Sequence, residues 1–178
     1  MPEAQSDVIA QTVSASRTAA SDLFDQAEAY RQSAAALQSA ALENYLSSLP
    51  VRNLYYTSIE LYLKAFLRAH GHSIDELEGK FRQDFRRMRK RCIGLGLVMT
   101  AAQDATLEYF VRTPASVRLK FSSTRYYSAP AIDDLDNLCQ KLRSHTSALL
   151  RPDTENQSGK IARGGATVDV QRELQVKP

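Results

Sequence analysis

Tryptophan is absent from this 178-residue chain, and cysteine occurs only at Cys92 and Cys139. Two isolated cysteines make neither a disulfide framework nor the paired sets of a structural zinc site. Each falls near an apolar position of a predicted helix, so both are expected as buried, reduced thiols, which suits a reducing cytoplasm. Long apolar runs are missing too. No stretch approaches the ~20 consecutive apolar residues that span a bilayer, so no membrane partner is expected. The opening residues Met1 to Asp7 lack the positive start and apolar run of a secretory signal, and the expected location is cytoplasmic. Histidine is limited to His70, His72 and His145. The first two lie two apart at a predicted helix end, where side chains do not share a face, so no metal centre is expected. A net charge of only +3 does not by itself imply a nucleic-acid partner.

What is present reads as one ordinary globular domain, with 43% hydrophobic and 24% charged residues. A chain of this size buries enough surface to be stable without staples. Leu23, Ala27, Tyr30, Ala34, Leu37, Ala41 and Tyr45 recur at steps of three or four, which puts them on one face of a helix over about 19–45. Its alanines favour helix and leave room for a close neighbour. Ser47-Ser48-Leu49-Pro50 is expected to end it. A second helix over 52–70 carries Leu54, Ser58, Leu61, Tyr62, Ala65, Phe66 and Ala69, with Gly71 as its left-handed cap. Ser73-Ile74-Asp75-Glu76 is a capping box that opens a third segment, broken at Gly79 and resuming over 81–91. Gly94-Leu95-Gly96 lacks the strand and third glycine of a dinucleotide site and reads as a turn. Thr100 and Gln103 cap a helix ending before Pro114. A last helix over 132–150 turns Ile132, Leu135, Leu138, Leu142 and Leu149 inward. The expected fold is all-α, an antiparallel four- to five-helix bundle over 15–151. Residues 1–14 and 152–178 are expected as loose ends, because neither carries an apolar stripe.

The densest local feature is charge. Residues 80–91 hold seven cations and one anion. Phe81, Phe85, Met88 and Cys92 follow helical spacing toward the core, which leaves Arg82, Arg86, Arg89 and Lys90 on the outer side, flanked by Arg87 and Arg91. Guanidinium groups fixed on a helix suit phosphate recognition through paired N–H donors. The alternative is a solvated face whose charges are met by acidic groups or water. Catalytic motifs are otherwise lacking: there is no Walker loop, no nucleophile elbow and no paired cysteine motif. Glu60 and Lys64 read either as an exposed ion pair one helical turn apart or, with Asp84 and Arg125, as a polar cluster.

Two stretches bear a resemblance. Leu54-Tyr55-Tyr56-Thr57-Ser58-Ile59-Glu60-Leu61-Tyr62-Leu63-Lys64-Ala65-Phe66-Leu67, followed by Gly71, resembles the second-helix signature of bacterial HEPN-like proteins. Phe81-Arg82-Gln83-Asp84-Phe85, then Gly94-Leu95, is similar to their following segment, where many members read Phe-Gly-His-Asp-Leu. Arg125-Tyr126 resembles an Arg-Tyr pair before the last helix of that group. The similarity spans roughly 20–150. It implies a helical bundle, commonly a homodimer, in a family that often binds or cleaves RNA and works in toxin–antitoxin, antiphage or stress systems. Active members use an arginine, four to six residues, then a histidine. Here Gln83 stands at the local histidine position, and no arginine precedes His70, His72 or His145 at that spacing. Glutamine cannot act as a general acid or base near neutral pH.

The expected function is therefore a non-catalytic HEPN-like binding or regulatory module that meets RNA or another polyanion through Arg82, Arg86, Arg87, Arg89, Lys90 and Arg91, with no cofactor. Two alternatives stay open. One is a divergent ribonuclease built on Glu60, Lys64, Asp84 and Arg125. The other is the protein-binding half of a toxin–antitoxin-like or defence pair, in which the basic helix meets an acidic protein.

Overall fold

The computed structural model of the chain describes residues 3–40, 48–113 and 129–151, with side chains from residue 19 in the first stretch and from residue 49 in the second. Ala41, Tyr45, Arg125, Tyr126 and the segment 152–178 lie outside these residues. The elements are α1 (Glu3–Ser39), α2 (Ser48–Ala69), α3 (Ile74–Glu78), α4 (Phe85–Gly94), α5 (Ala101–Arg112) and α6 (Ile132–Leu150). They contain no strand and pack as an all-α helical bundle. No described helix is long and apolar enough to cross a membrane.

The bundle is built around α2, whose most extensive neighbours are α1 and α6. Tyr62, Leu63, Lys64, Ala65, Phe66 and Leu67 are all buried, so this half of α2 has no solvent face. On α1, Ala20, Ala27 and Ala34 recur every seven residues and are fully buried. Their small side chains bring the backbones close enough for the Ser58 hydroxyl of α2 to donate directly to the Ala27 carbonyl at 2.9 Å. Tyr55 reaches Gln38 while Tyr62 reaches Glu28, which makes the two helices antiparallel. Arg31 to Asp136 at 2.9 Å and Arg143 to Glu28 at 2.7 Å tie α6 along the other side of α1.

Both capping boxes form. Ser73 accepts from the Glu76 N–H, Thr100 accepts from the Gln103 N–H, and the Glu76 and Gln103 side chains return to the cap backbones. Gly71 adopts φ +89°, the left-handed value expected of a helix-ending glycine.

Other boundaries move. The apolar stripe places the start of the first helix near residue 19, whereas α1 starts at Glu3. No breaker precedes the stripe, and a nucleated helix gains one hydrogen bond for each residue it adds. Pro50 opens α2 instead of closing α1. A first-turn proline is tolerated because the N–H it lacks would have no intrahelical acceptor there. The third segment resumes at Phe85 rather than Phe81, since Asp84 accepts from the Arg87 N–H and caps α4. Arg82 therefore lies in a turn ahead of the helix. Leu149, expected inward, is exposed, because the buried row of α6 ends on Thr146. Tyr30 also stays at the surface, at the edge of the alanine seam.

Candidate polyanion-binding face

α4 is anchored by Phe85, Met88 and Cys92, all buried. Phe85 meets Phe110 of α5 with ring centroids 4.9 Å apart, and Phe110 packs edge-on against Tyr56 of α2 at 5.1 Å. Full burial of a Phe or Met side chain contributes roughly 1.5–3 kcal/mol each. That holds a helix of clustered like charge against the bundle.

Successive residues are rotated by about 100° around a helix axis, so the anchors fix where every other side chain of α4 points. Opposite them lie Arg86, Arg87 and Lys90, all exposed. Arg82, in the turn before α4, is exposed as well. Arg82, Arg86 and Lys90 have no acidic partner among the described residues. Arg87 is salt-bridged to Asp84 at 3.1 Å, yet its side chain stays largely in solvent.

The two remaining arginines sit on the flanks and are engaged by the fold. Arg89 does not belong to the outer stripe expected from the sequence. Its guanidinium makes a two-pronged contact with Asp104 of α5, at 2.8 and 2.6 Å, and a third bond to Glu108 at 3.0 Å. The hydrogen bonds that Arg89 donates to Asp104 hold its pKa above its ordinary value. Arg89 is thus a brace between α4 and α5. On the other flank, Arg91 Nε donates to His72 Nε2 at 3.0 Å. An accepting Nε2 requires the proton on Nδ1, which faces Glu76 at 3.0 Å. His72 is buried and edge-on to Phe81, and Glu76, His72 and Arg91 form a chain that ties the start of α3 to the last turn of α4. The His72 hydrogen bond and the Ser73 backbone N–H together lower the Glu76 pKa. Arg91 remains exposed despite this bond.

Gln83, at the position resembling the family histidine, has φ +50° and an exposed side chain. Sequence gives no sign of that left-handed backbone. It also gives no sign of Asp104 and Glu108 as the partners of Arg89, which only the packing of α5 supplies. Asp84 could have been read as a cap, since an Asp directly before a helical run is a start signal.

Among the described residues, no contact joins Asp84 to the Glu60–Lys64 pair. Lys64 is buried, not exposed, and its ammonium lies 3.0 Å from Glu60 and 3.3 Å from Glu78. It ties α2 to α3. Asp84 serves as the α4 cap and partner of Arg87, and Arg125 lies outside the described residues. His70 Nδ1 is hydrogen-bonded to the Phe66 carbonyl, and its ring lies on Phe66. Cys92 and Cys139 are free and buried, and burial pushes both thiols up to about 12. Among the described residues no group of His, Cys, Asp and Glu is placed to hold a metal ion. No family model, curated protein or solved structure matches the chain.

Proposed function

We propose that the chain is a non-catalytic, HEPN-like binding module whose working surface is the outer face of α4 and the turn before it. One observation carries the reading. Arg82, Arg86 and Lys90 stand exposed without an acidic partner among the described residues, while the neighbouring cations Arg89 and Arg91 are used inside the fold. Unpaired cations on a core-anchored helix and the turn before it are available to a polyanion at no loss of internal contacts.

The contacts of His70 and His72, two of the three histidines, support a binding role over a catalytic one. The His72 nitrogens face Glu76 and Arg91, His70 is tied to a main-chain carbonyl, and Gln83 offers no titratable proton. The reading is tested with single-stranded RNA as a polyanion probe, followed by fluorescence anisotropy at rising salt. Three phosphate contacts give a log–log slope of about −2, at roughly −0.7 per contact. Arg86→Ala with Lys90→Ala flattens the slope and leaves the fold unchanged. Binding that is absent at low salt, or unaltered by this double substitution, contradicts the proposal.

A further inference from the structure

The basic face does not end in water at its C-terminal end. Ile93 lies one turn beyond Lys90 and Arg89, and it is 46% exposed. Beyond it the chain turns through Gly96, at φ +97°, into Val98, which is 65% exposed and the most open of the large hydrophobic side chains described. Between the end of α4 and the start of α5 lies an open groove of about 450 Å³, walled by Ile93, Leu97, Val98, Met99, Ala101 and Asp104. Its carboxylate, Asp104, is already neutralised by Arg89. From α6, burial, together with the neighbouring charge of Lys141, lowers the His145 pKa. An aliphatic groove thus adjoins the cationic ridge of α4, and the acid within it is paired.

We infer that this groove and the adjoining Arg86–Lys90 ridge together form a docking site for an acidic amphipathic helix of a partner protein. The inference rests on the reading of α4 as a polyanion face and names its partner. Charge complementarity selects the occupant. The ridge calls for carboxylates on one part of the ligand, and the groove calls for aliphatic side chains about two helical turns further along. Acidic and aliphatic side chains spaced along one surface are what an amphipathic helix presents to a groove. A nucleic-acid strand meets the ridge equally well and leaves the groove unused. Base recognition on single strands relies on stacking against aromatic rings, whereas this wall is aliphatic.

Two synthetic helical peptides of equal length and equal negative charge separate the contributions. One carries leucines at alternating three- and four-residue spacing, and in the other serines replace them. The leucine peptide is expected to bind about tenfold more tightly or better, because burying even one leucine is worth that factor. Ile93→Gln with Val98→Gln, both at exposed positions, is expected to abolish this preference while leaving RNA affinity unchanged. Arg86→Ala with Lys90→Ala is expected to weaken both peptides. Equal affinity for the two peptides, or a preference that survives the Gln substitutions, overturns the groove as a docking site and leaves the basic face standing. Peptide binding indifferent to Arg86 and Lys90 overturns the basic face itself.

Discussion

Arg86 and Arg89 are three residues apart on α4, yet one guanidinium meets water and the other meets two carboxylates. Their substitutions should separate accordingly. The Arg89 pair is half-exposed but two-pronged, which places it at the upper end of the range for surface ion pairs. Arg89→Ala is expected to cost about 1 kcal/mol, a melting shift of roughly 2–4 °C. Arg86→Ala should stay within about 0.5 kcal/mol, as surface changes without partners do. Urea denaturation of the two variants compares them, and equal losses would mean that Arg86 also braces the fold. The two thiols give a second test at this scale. Burial raises both to about 12 from an ordinary value near 9, so the native state holds protons there that the unfolded chain releases. Their contribution to stability is complete below pH 9 and is lost as the pH rises toward 12. The native protein should therefore leave a thiol reagent nearly unreacted at pH 9, while the urea-unfolded chain reacts at both cysteines. Rapid labelling of the native protein would contradict their burial.

Among the elements, those with a local physical signature were legible in the sequence. Ser73 with Glu76 and Thr100 with Gln103 announce helix starts by chemistry confined to four residues, and both starts are where the signature puts them. The Gly71 cap belongs to the same class. The α2 face was legible only in part: Ser58, Tyr62, Ala65 and Phe66 are buried as the spacing predicts, but Leu54, Leu61 and Ala69 are half-buried and Tyr55, Ile59 and Leu63 are buried instead. What depends on a neighbour was not legible. Pro50 stops one helix or starts the next with equal local logic. Leu149 continues the spacing of α6, yet it lies past the point where other helices cover that face. The basic helix was legible as a charge density, because Phe85, Met88 and Cys92 fix its inner side by spacing alone. The sorting of its cations was not. Arg89 leaves the outer face because Asp104 and Glu108, on a separate helix, stand opposite it. Lys64 forms the Glu60 pair that the spacing predicts, but its burial and its second partner Glu78 on α3 depend on packing and were not legible.

For the whole molecule, a net charge of +3 conceals how unevenly the charges are used. Glu28 and Asp136 are spent on the seam between α1 and α6, Glu60 and Glu78 on Lys64, and Asp104 and Glu108 on Arg89. Among the described residues, Arg82, Arg86 and Lys90, on α4 and the turn before it, are left exposed without an acidic partner. A field of that kind accelerates encounter with a polyanion and orients it before contact. The most direct measurement of this claim is amide chemical-shift mapping of the folded protein, titrated with single-stranded RNA at low salt. The shifts are expected to concentrate on the turn before α4 and on its outer residues, at Arg82, Arg86, Arg87 and Lys90, and to fade as salt is added. Shifts centred on another surface, or none on α4 under conditions where the RNA binds, would contradict it.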